Sequence, residues 1–323
     1  MALQLSFHQQ PFTMHHPLIN NLTFTQEHND VYRFDNLQSS GCQSSKALAA
    51  ADATVPPVLK AHCVNVLYAT PADTSKSIEC HVNKLFDGRS FATRIVNQNQ
   101  EGRNTIVMQV SYHAVNLLLN YIPFNDASKV EPDSCVHQSK MPIVKGPEEC
   151  DETDMDMLFS DGVSEAVQAD RESGNFSKIN ENRKIFPFHF RCVDEDALIG
   201  NVDVVPACHY VWVKFKTPIP KDDHRLQRSS LLFMCDIGLS LAAYRPHSKN
   251  NFQFSMNFTV NHSMHFHVAH FDVSEWILVE FESTKSKNSR GFTRARYWNR
   301  DGKLIASASQ EAVIRTRGPV SRL

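Results

Sequence analysis

Strand-like runs with apolar and polar residues in partial alternation at a spacing of two recur in two regions of this chain, and each region also holds a longer helix-compatible run. Alternation at that spacing marks a half-buried strand; a longer apolar run suits a buried helix. In the first half, HCVNVLY (62–68), SIECHVNKLF (77–86), SFATRIV (90–96) and NTIVMQVSYHAV (104–115) predict strands. Ahead of them the alanine-rich stretch Ser39 to Ala51 predicts a helix, ended by Pro56 and Pro57. In the second half, the strand-like YVWVKFK (210–216) precedes the run SSLLFMCDIGLSLAAY (229–244), which predicts a buried helix closed by Pro246. Strand-like NFTVNHSMHFHV (257–268), EWILVEFES (275–283), GFTRARYW (291–298) and KLIASASQEAVIR (303–315) follow, the last two joined by an Asp301-Gly302 turn.

The two halves therefore repeat one order, a helix and then strands. Residues also fall in step at an offset near 200: His62-Cys63-Val64 with His262-Ser263-Met264, Arg89-x-Phe91 with Arg290-x-Phe292, and Ile106–Tyr112 with Leu304–Gln310. Matches in one order on matching elements point to duplication. Each unit is an α+β unit, one long helix against a largely antiparallel sheet that must bury its apolar face. Two such units can pair edge to edge and protect their edges. The expected organisation is an N-terminal extension (1–27), a first unit (28–142), an acidic linker (143–184), a second unit (185–318) and a short tail (319–323). The acidic clusters and prolines of 122–184 read as a solvated connection.

Composition narrows the class. The 323 residues are enough for two cores, and a net charge of −2 gives no basic field for nucleic acid. No apolar run approaches the length of a membrane span, and the first residues lack the pattern of a secretory signal. Eight cysteines sit at irregular spacings without a C-x-x-C pair, which reads as reduced thiols in an intracellular protein rather than zinc ligands or disulfides. Glycosylation motifs occur at Asn21, Asn175, Asn257 and Asn261, the last two within an expected strand. The tail Ser321-Arg322-Leu323 differs from a peroxisomal address by one basic residue, so the expected location is the peroxisome, with the cytoplasm as alternative.

Three polar residues of the second half lack a matching type in the first. Asp236 is the single acid of the run 229–244, whereas Ser39 to Ala51 holds none. Thr259 stands against Leu59, and Gln310 against Tyr112. A carboxylate amid LLFMCDIGL is costly unless paired, and desolvation makes a buried carboxylate a stronger proton acceptor. Gln310 shares a strand face with Leu304, Ala306 and Ala308, so it is expected to be buried and bonded. Alternation places Thr259 on the polar face with Asn261 and Ser263. A purely structural use of Asp236, bracing a bend beside Gly238, stands beside the catalytic one.

The stretches FMCDIGLSLAAYRPH, NHSMHFH and EWILVEFESTKSKNSRGFTRARYWNRDGKLIASASQEAVIR, with VHQSKMP (136–142) before them, resemble the type II acyl-CoA thioesterases. This family includes bacterial thioesterase II and the peroxisomal acyl-CoA thioesterases. The resemblance implies a double hot-dog fold and hydrolysis of acyl-CoA to a free acid and CoA, without metal or cofactor. The family's Asp, Thr or Ser, and Gln fall on Asp236, Thr259 and Gln310. Its Gly-Gly-Gln segment is reduced here to SSGCQSSKAL, keeping Gly41. Partners implied are the acyl-CoA substrate, a peroxisomal import receptor and a possible second copy of the chain. The run Lys285, Lys287, Arg290, Arg294, Arg296 and Arg300 is the expected contact for CoA phosphates. A catalytically weak acyl-CoA-binding protein of the same fold is the alternative. A hot-dog hydratase is disfavoured, because its Asp-x-Asn-Pro-x-His stretch is absent from the sequence.

Overall fold

The structure, a computed structural model, describes residues 24–27, 30–34, 42–73, 75–114, 136–153, 187–199, 206–236, 238–250 and 254–316. Asn21, Gly41, Asn175, most of the extension, the linker beyond 153 and the tail Ser321-Arg322-Leu323 lie outside the described residues. The first half contains β1 (Thr25–Gln26), β2 (Val31–Phe34), α1 (Cys42–Asp52), β3 (Leu59–Tyr68), β4 (Ile78–Asp87), β5 (Phe91–Gln100) and β6 (Arg103–Ala114). The second contains β7 (Phe188–Cys192), α2 (Glu195–Ile199), β8 (Cys208–Phe215), α3 (His224–Asp236), α4 (Leu241–Tyr244), β9 (Phe254–Phe266), β10 (Ile277–Lys287), β11 (Arg290–Trp298) and β12 (Leu304–Thr316). The expected strands and the first helix are present. β1, β2 and β7 were too short to read from alternation.

All twelve strands join one sheet, in the order β1-β2-β4-β5-β6-β3-β9-β12-β11-β10-β8-β7. Every neighbouring pair is antiparallel. Read outward from the β3–β9 seam, the two sides run alike: β3, β6, β5, β4, β2 against β9, β12, β11, β10, β8. At the seam Val64 faces Met264 and Asn65 faces Ser263, and the Ser263 hydroxyl donates to Asn65 Oδ1 at 2.8 Å.

Irregularities repeat as well. β3 carries an extra residue between Ala61 and Cys63, opposite Tyr112 and Ser111. β9 carries one between Thr259 and Asn261, opposite Ala312 and Glu311. Such a bulge sets two residues against one and shifts the register by a position. The matched bulges make Ala61 the counterpart of Thr259, Val64 that of His262 and Val110 that of Gln310. The sequence matches, at offsets of 200 and 198, had paired Thr259 with Leu59 and Gln310 with Tyr112. The contrast survives the change, because the first-half positions are still apolar.

The sheet encloses two helices. From Gln43 to Asp52 every residue of α1 is buried, as is Leu226 to Cys235 of α3. The helices run in opposite directions: the Ser45 hydroxyl near the start of α1 donates to Ser229 O at 2.9 Å, and Arg225 at the start of α3 donates to Val55 O at 2.7 Å, just past the end of α1. The expected single helix over 229–244 is broken. α3 stops at Asp236, Gly238 adopts φ +93°, and α4 begins at Leu241. Only glycine takes that left-handed conformation without steric cost, so Gly238 lets the chain turn sharply after Asp236.

Residues 136–153 do not behave as a solvated connection. They cross the second half as a strap over a separate apolar cluster of Cys150, Trp212, Trp276, Leu278 and Trp298. The Gln138 side chain donates to Gly302 O at 2.7 Å and accepts from Leu304 N at 3.1 Å. Trp212 Nε1 donates to Lys145 O at 2.8 Å, and Arg300 clasps Glu148 through both oxygens at 2.6 and 3.0 Å. The charges that suggested solvent are partly used as anchors.

Candidate active site

Asp236 is the last residue of α3, and its side chain is 12% exposed. Its neighbour Cys235 is fully buried. Although consecutive, both reach one residue, His262 of β9. Cys235 Sγ lies 3.2 Å from His262 Nε2, and Asp236 Oδ1 lies 3.9 Å from His262 Nδ1. The Tyr297 hydroxyl of β11 donates to Cys235 Sγ at 2.7 Å. A chain Tyr297–Cys235–His262–Asp236 therefore runs from the sheet to the helix end. Burial alone would lower the His262 pKa; the Cys235 sulfur and the Asp236 carboxylate against the ring outweigh it and raise the imidazole above its usual 6.5. The arrangement favours the imidazolium form of His262.

Gln310 of β12 is the direct cross-strand partner of His262 and is 2% exposed, on the face shared with Ala306, Ala308 and Ala312. Its Nε2 donates to Thr259 Oγ1 at 2.5 Å. Thr259 therefore lies with the buried face, not with Asn261 and Ser263 on the polar one. The bulge explains the difference, because Val260 is extra and the alternation resets there. The structure thus joins Thr259 to Gln310 directly. Among the described residues no hydrogen bond links either to Asp236; the acid is tied in through His262. Among the described residues, three buried atoms of the group, Asp236 Oδ1, His262 Nδ1 and Gln310 Oε1, have no hydrogen-bond partner.

The first half closes this site. Burial, followed by the Asp236 charge, drives the Tyr68 phenol well above its usual 10, with Ser44 also beside it. Tyr68 ends β3 and Ser44 opens α1, so the antiparallel helices bring the N-terminal end of α1 beside Asp236. A helix N-terminus is a source of unpaired backbone N–H groups and partial positive charge.

The run expected to hold phosphates is largely committed elsewhere. Arg296 pairs with Glu280 at 2.6 Å, Arg290 with Glu311 at 3.4 Å and Arg300 with Glu148 at 2.6 Å, while Arg294 lies over the Phe292 ring. Six of the cysteines, Cys63, Cys80, Cys150, Cys192, Cys208 and Cys235, are free. Among the described residues no helix is long and apolar enough to cross a membrane.

A sheet wrapped around buried helices defines a hot-dog-fold protein, and here an acid at a helix end lies near polar side chains on adjacent strands. The solved structures agree on the fold. An acyl-CoA thioesterase II from Mycobacterium marinum superposes with a TM-score of 0.70 at 21% identity, covering 93% of this chain and 99% of that one. A hot-dog-fold protein from Alicyclobacillus acidocaldarius gives 0.68 at 14% identity, covering 94% and 100%. The profile of the acyl-CoA thioesterase N-terminal domain matches residues 33–113, and that of the C-terminal domain residues 161–314. Acyl-coenzyme A thioesterase 8 of Rattus norvegicus is 26% identical over 281 residues, 85% of this chain and 79% of the relative. Acyl-CoA thioesterase 2 of Haemophilus influenzae is 28% identical over 279 residues, covering 84% and 85%. The chain belongs to the type II acyl-CoA thioesterase family.

Proposed function

We propose that this chain hydrolyses fatty acyl-CoA to a free fatty acid and CoA, using one water held by Asp236, Thr259 and Gln310. In this reading the two repeated units form a double hot-dog, and the second unit (185–318) carries the reacting groups. The observation that carries the assignment is the 2.5 Å bond from Gln310 to Thr259, which couples two polar side chains on different strands on the buried face that also holds His262. Asp236 takes the water proton as the oxygen attacks the thioester carbonyl; the tetrahedral intermediate then collapses with cleavage of the C–S bond, and the CoA thiolate leaves and takes the proton back from Asp236. Thr259 and Gln310 hold that oxygen in line, which removes much of the entropic barrier. His262 is a positioning residue that fixes the carboxylate. Backbone N–H groups at the start of α1 face the oxyanion.

The decisive assay is thiol release from acyl-CoAs of several chain lengths by the full-length chain and by Asp236→Ala. Release by the parent and its loss in a folded variant support the mechanism; equal rates remove Asp236 from it. Acyl-CoA binding without release above background would make the chain a binding protein of the same fold. Ser321-Arg322-Leu323 is the proposed address for a peroxisomal import receptor. Its removal from a tagged protein shifts the signal to the cytosol, and an unchanged distribution refutes the address. Pairing with a second copy is read from sedimentation.

A further inference from the structure

The opposite end of the helix pair holds a second charged centre that the hydrolytic reading does not use. Asp52 closes α1 as Asp236 closes α3. Beside it, across the start of α3, lie His224, Arg225 and Arg228, with Lys60 of β3 and His270. α3 is 13 residues long, so this centre is about 18 Å from Asp236 along the helix axis.

These basic groups are built in, and a nearby acid whose charge acts on Arg225 and Arg228 is Asp52. Lys60 is 5% exposed, and its Nζ partner is His270 Nε2 at 3.1 Å, not a carboxylate. Arg228 is 2% exposed and spends its donors on carbonyls alone: Ala61, His224, Val268 and Ala269. His224 Nε2 and Arg225 Nε are buried without any hydrogen-bond partner. The groups whose charge acts on His224 are Lys60, Arg228, Arg225 and His270, all basic. Burial and then the Arg228 charge push the Lys60 ammonium down to about 8. Of the nearby acids, Asp52 gives one oxygen to the Tyr112 hydroxyl at 2.9 Å, and Asp223 caps the Leu226 N–H at 2.9 Å. Burial, and then the surrounding basic groups, push the His224 imidazole down to about 3, so it is neutral. Among the described residues, no carboxylate lies within ion-pair distance of Lys60 or Arg228, the two buried cations of the group, and buried cations normally have such a partner.

We propose that this centre is a second binding site, which takes a phosphate-bearing anion on Lys60, His224 and Arg225. Three separate donor positions suit a tetrahedral oxyanion, which can present an oxygen to each; a carboxylate has only two oxygens. Arg228 holds the local backbone and adds positive potential, and the N-terminus of α3 adds more. His270 is exposed and His224 and Arg225 are half-buried residues, so the centre lies near the surface, although His224 Nε2 and Arg225 Nε themselves are covered. The site occupies the place that the repeat relates to the Asp236 centre. There, Ala61 and Val110 have removed the water-holding pair.

Calorimetric titration of the full-length protein with inorganic pyrophosphate and with 3′,5′-ADP tests the proposal without turnover, so it stands or falls apart from the hydrolytic assignment. The parent protein binds at least one of the two. Lys60→Met and Arg225→Met each weaken that binding about ten-fold or more, the worth of a charged hydrogen bond. Asp52→Asn, which removes a negative charge, tightens it. If 3′,5′-ADP binds and Lys60→Met raises the KM for acyl-CoA while kcat holds, the anion is the nucleotide end of the substrate. If pyrophosphate binds and KM is unchanged, it is a separate ligand. Circular dichroism and Tm check that each variant folds. Should Lys60→Met fail, Arg225→Met, at a half-buried position, carries the comparison. Absence of binding by the parent, or equal affinity in both folded variants, overturns the proposal.

Discussion

Thr259 and His262 are three residues apart on one strand yet serve the same buried face. A regular strand would set them on opposite faces. The extra residue Val260 reverses the alternation, so that Thr259 meets Gln310 while His262 meets Asp236. The bulge is therefore part of the site's construction, and it recurs in β3 at Ala61 and Cys63 without polar residues to display.

The hydroxyl, not the shape, of Thr259 is what Gln310 contacts. Thr259→Ser keeps that acceptor and is expected to retain thioesterase activity within about three-fold. Thr259→Val keeps the volume and lowers kcat by about 10²-fold. Thiol-release kinetics on folded protein distinguish the two, and equal activity in Ser and Val variants would remove the hydroxyl from the mechanism.

His262 touches the acid rather than the expected position of the water. His262→Gln preserves polarity but loses the cationic ring beside Asp236. A misplaced carboxylate slows chemistry more than binding, so kcat falls about ten- to hundred-fold while KM stays within about two-fold. A change confined to KM would make His262 a substrate contact instead. Tyr297→Phe, one link further back, gives the same pattern at smaller size.

Much of this was legible in the sequence. Strand alternation located β3 to β6 and β8 to β12, and the lone acid in an apolar run marked Asp236. The rest was hidden for specific reasons. A one-residue bulge leaves no trace in composition, so alternation put Thr259 on the wrong face. The sequence match paired His262 with His62, which made it look like a shared structural residue. The register pairs it with Val64, an apolar position, and that contrast would have singled it out. The helix end at Asp52 fell one residue beyond the stretch searched for acids, so the first half's own carboxylate escaped notice. The charges of 136–153 suggested solvent because nothing in a sequence shows that Arg300 answers Glu148.

Asp52 gives the fold a pH dependence of definite sign. Burial, only partly offset by the Arg225 charge and the Tyr112 hydrogen bond, raises its pKa from 3.8 to about 6. The folded chain therefore holds a proton that the unfolded chain has released, and stability falls as pH rises from about 4 to about 6. Above that window the buried charge costs up to about 3 kcal/mol. Asp52→Asn keeps an acceptor for Tyr112 and removes the charge. It is expected to raise Tm at pH 7.5, with the gain shrinking towards pH 4. A gain independent of pH would mean that the carboxyl does not titrate in that window.

Gly291 supplies a structural test away from both charged centres. It is the second residue of β11, where a Cβ would lie 2.6 Å from Ala243 Cβ of α4 and 2.8 Å from Ile314 Cδ1 of β12. Neither neighbour is a flexible chain end with room to retreat, because Ala243 is 3% exposed and Ile314 7%. Overpacking of this kind costs about 1–3 kcal/mol. Gly291→Ala should lower the denaturant midpoint accordingly. Gly102→Ala has no atom within 4 Å of the added carbon, but φ +77° makes it costly through the backbone instead. The two variants separate by mechanism: Ala243→Gly relieves Gly291→Ala by opening the contact, and it does nothing for Gly102→Ala. A double-mutant cycle with no coupling between 243 and 291 would place α4 farther from β11 than the structure has it.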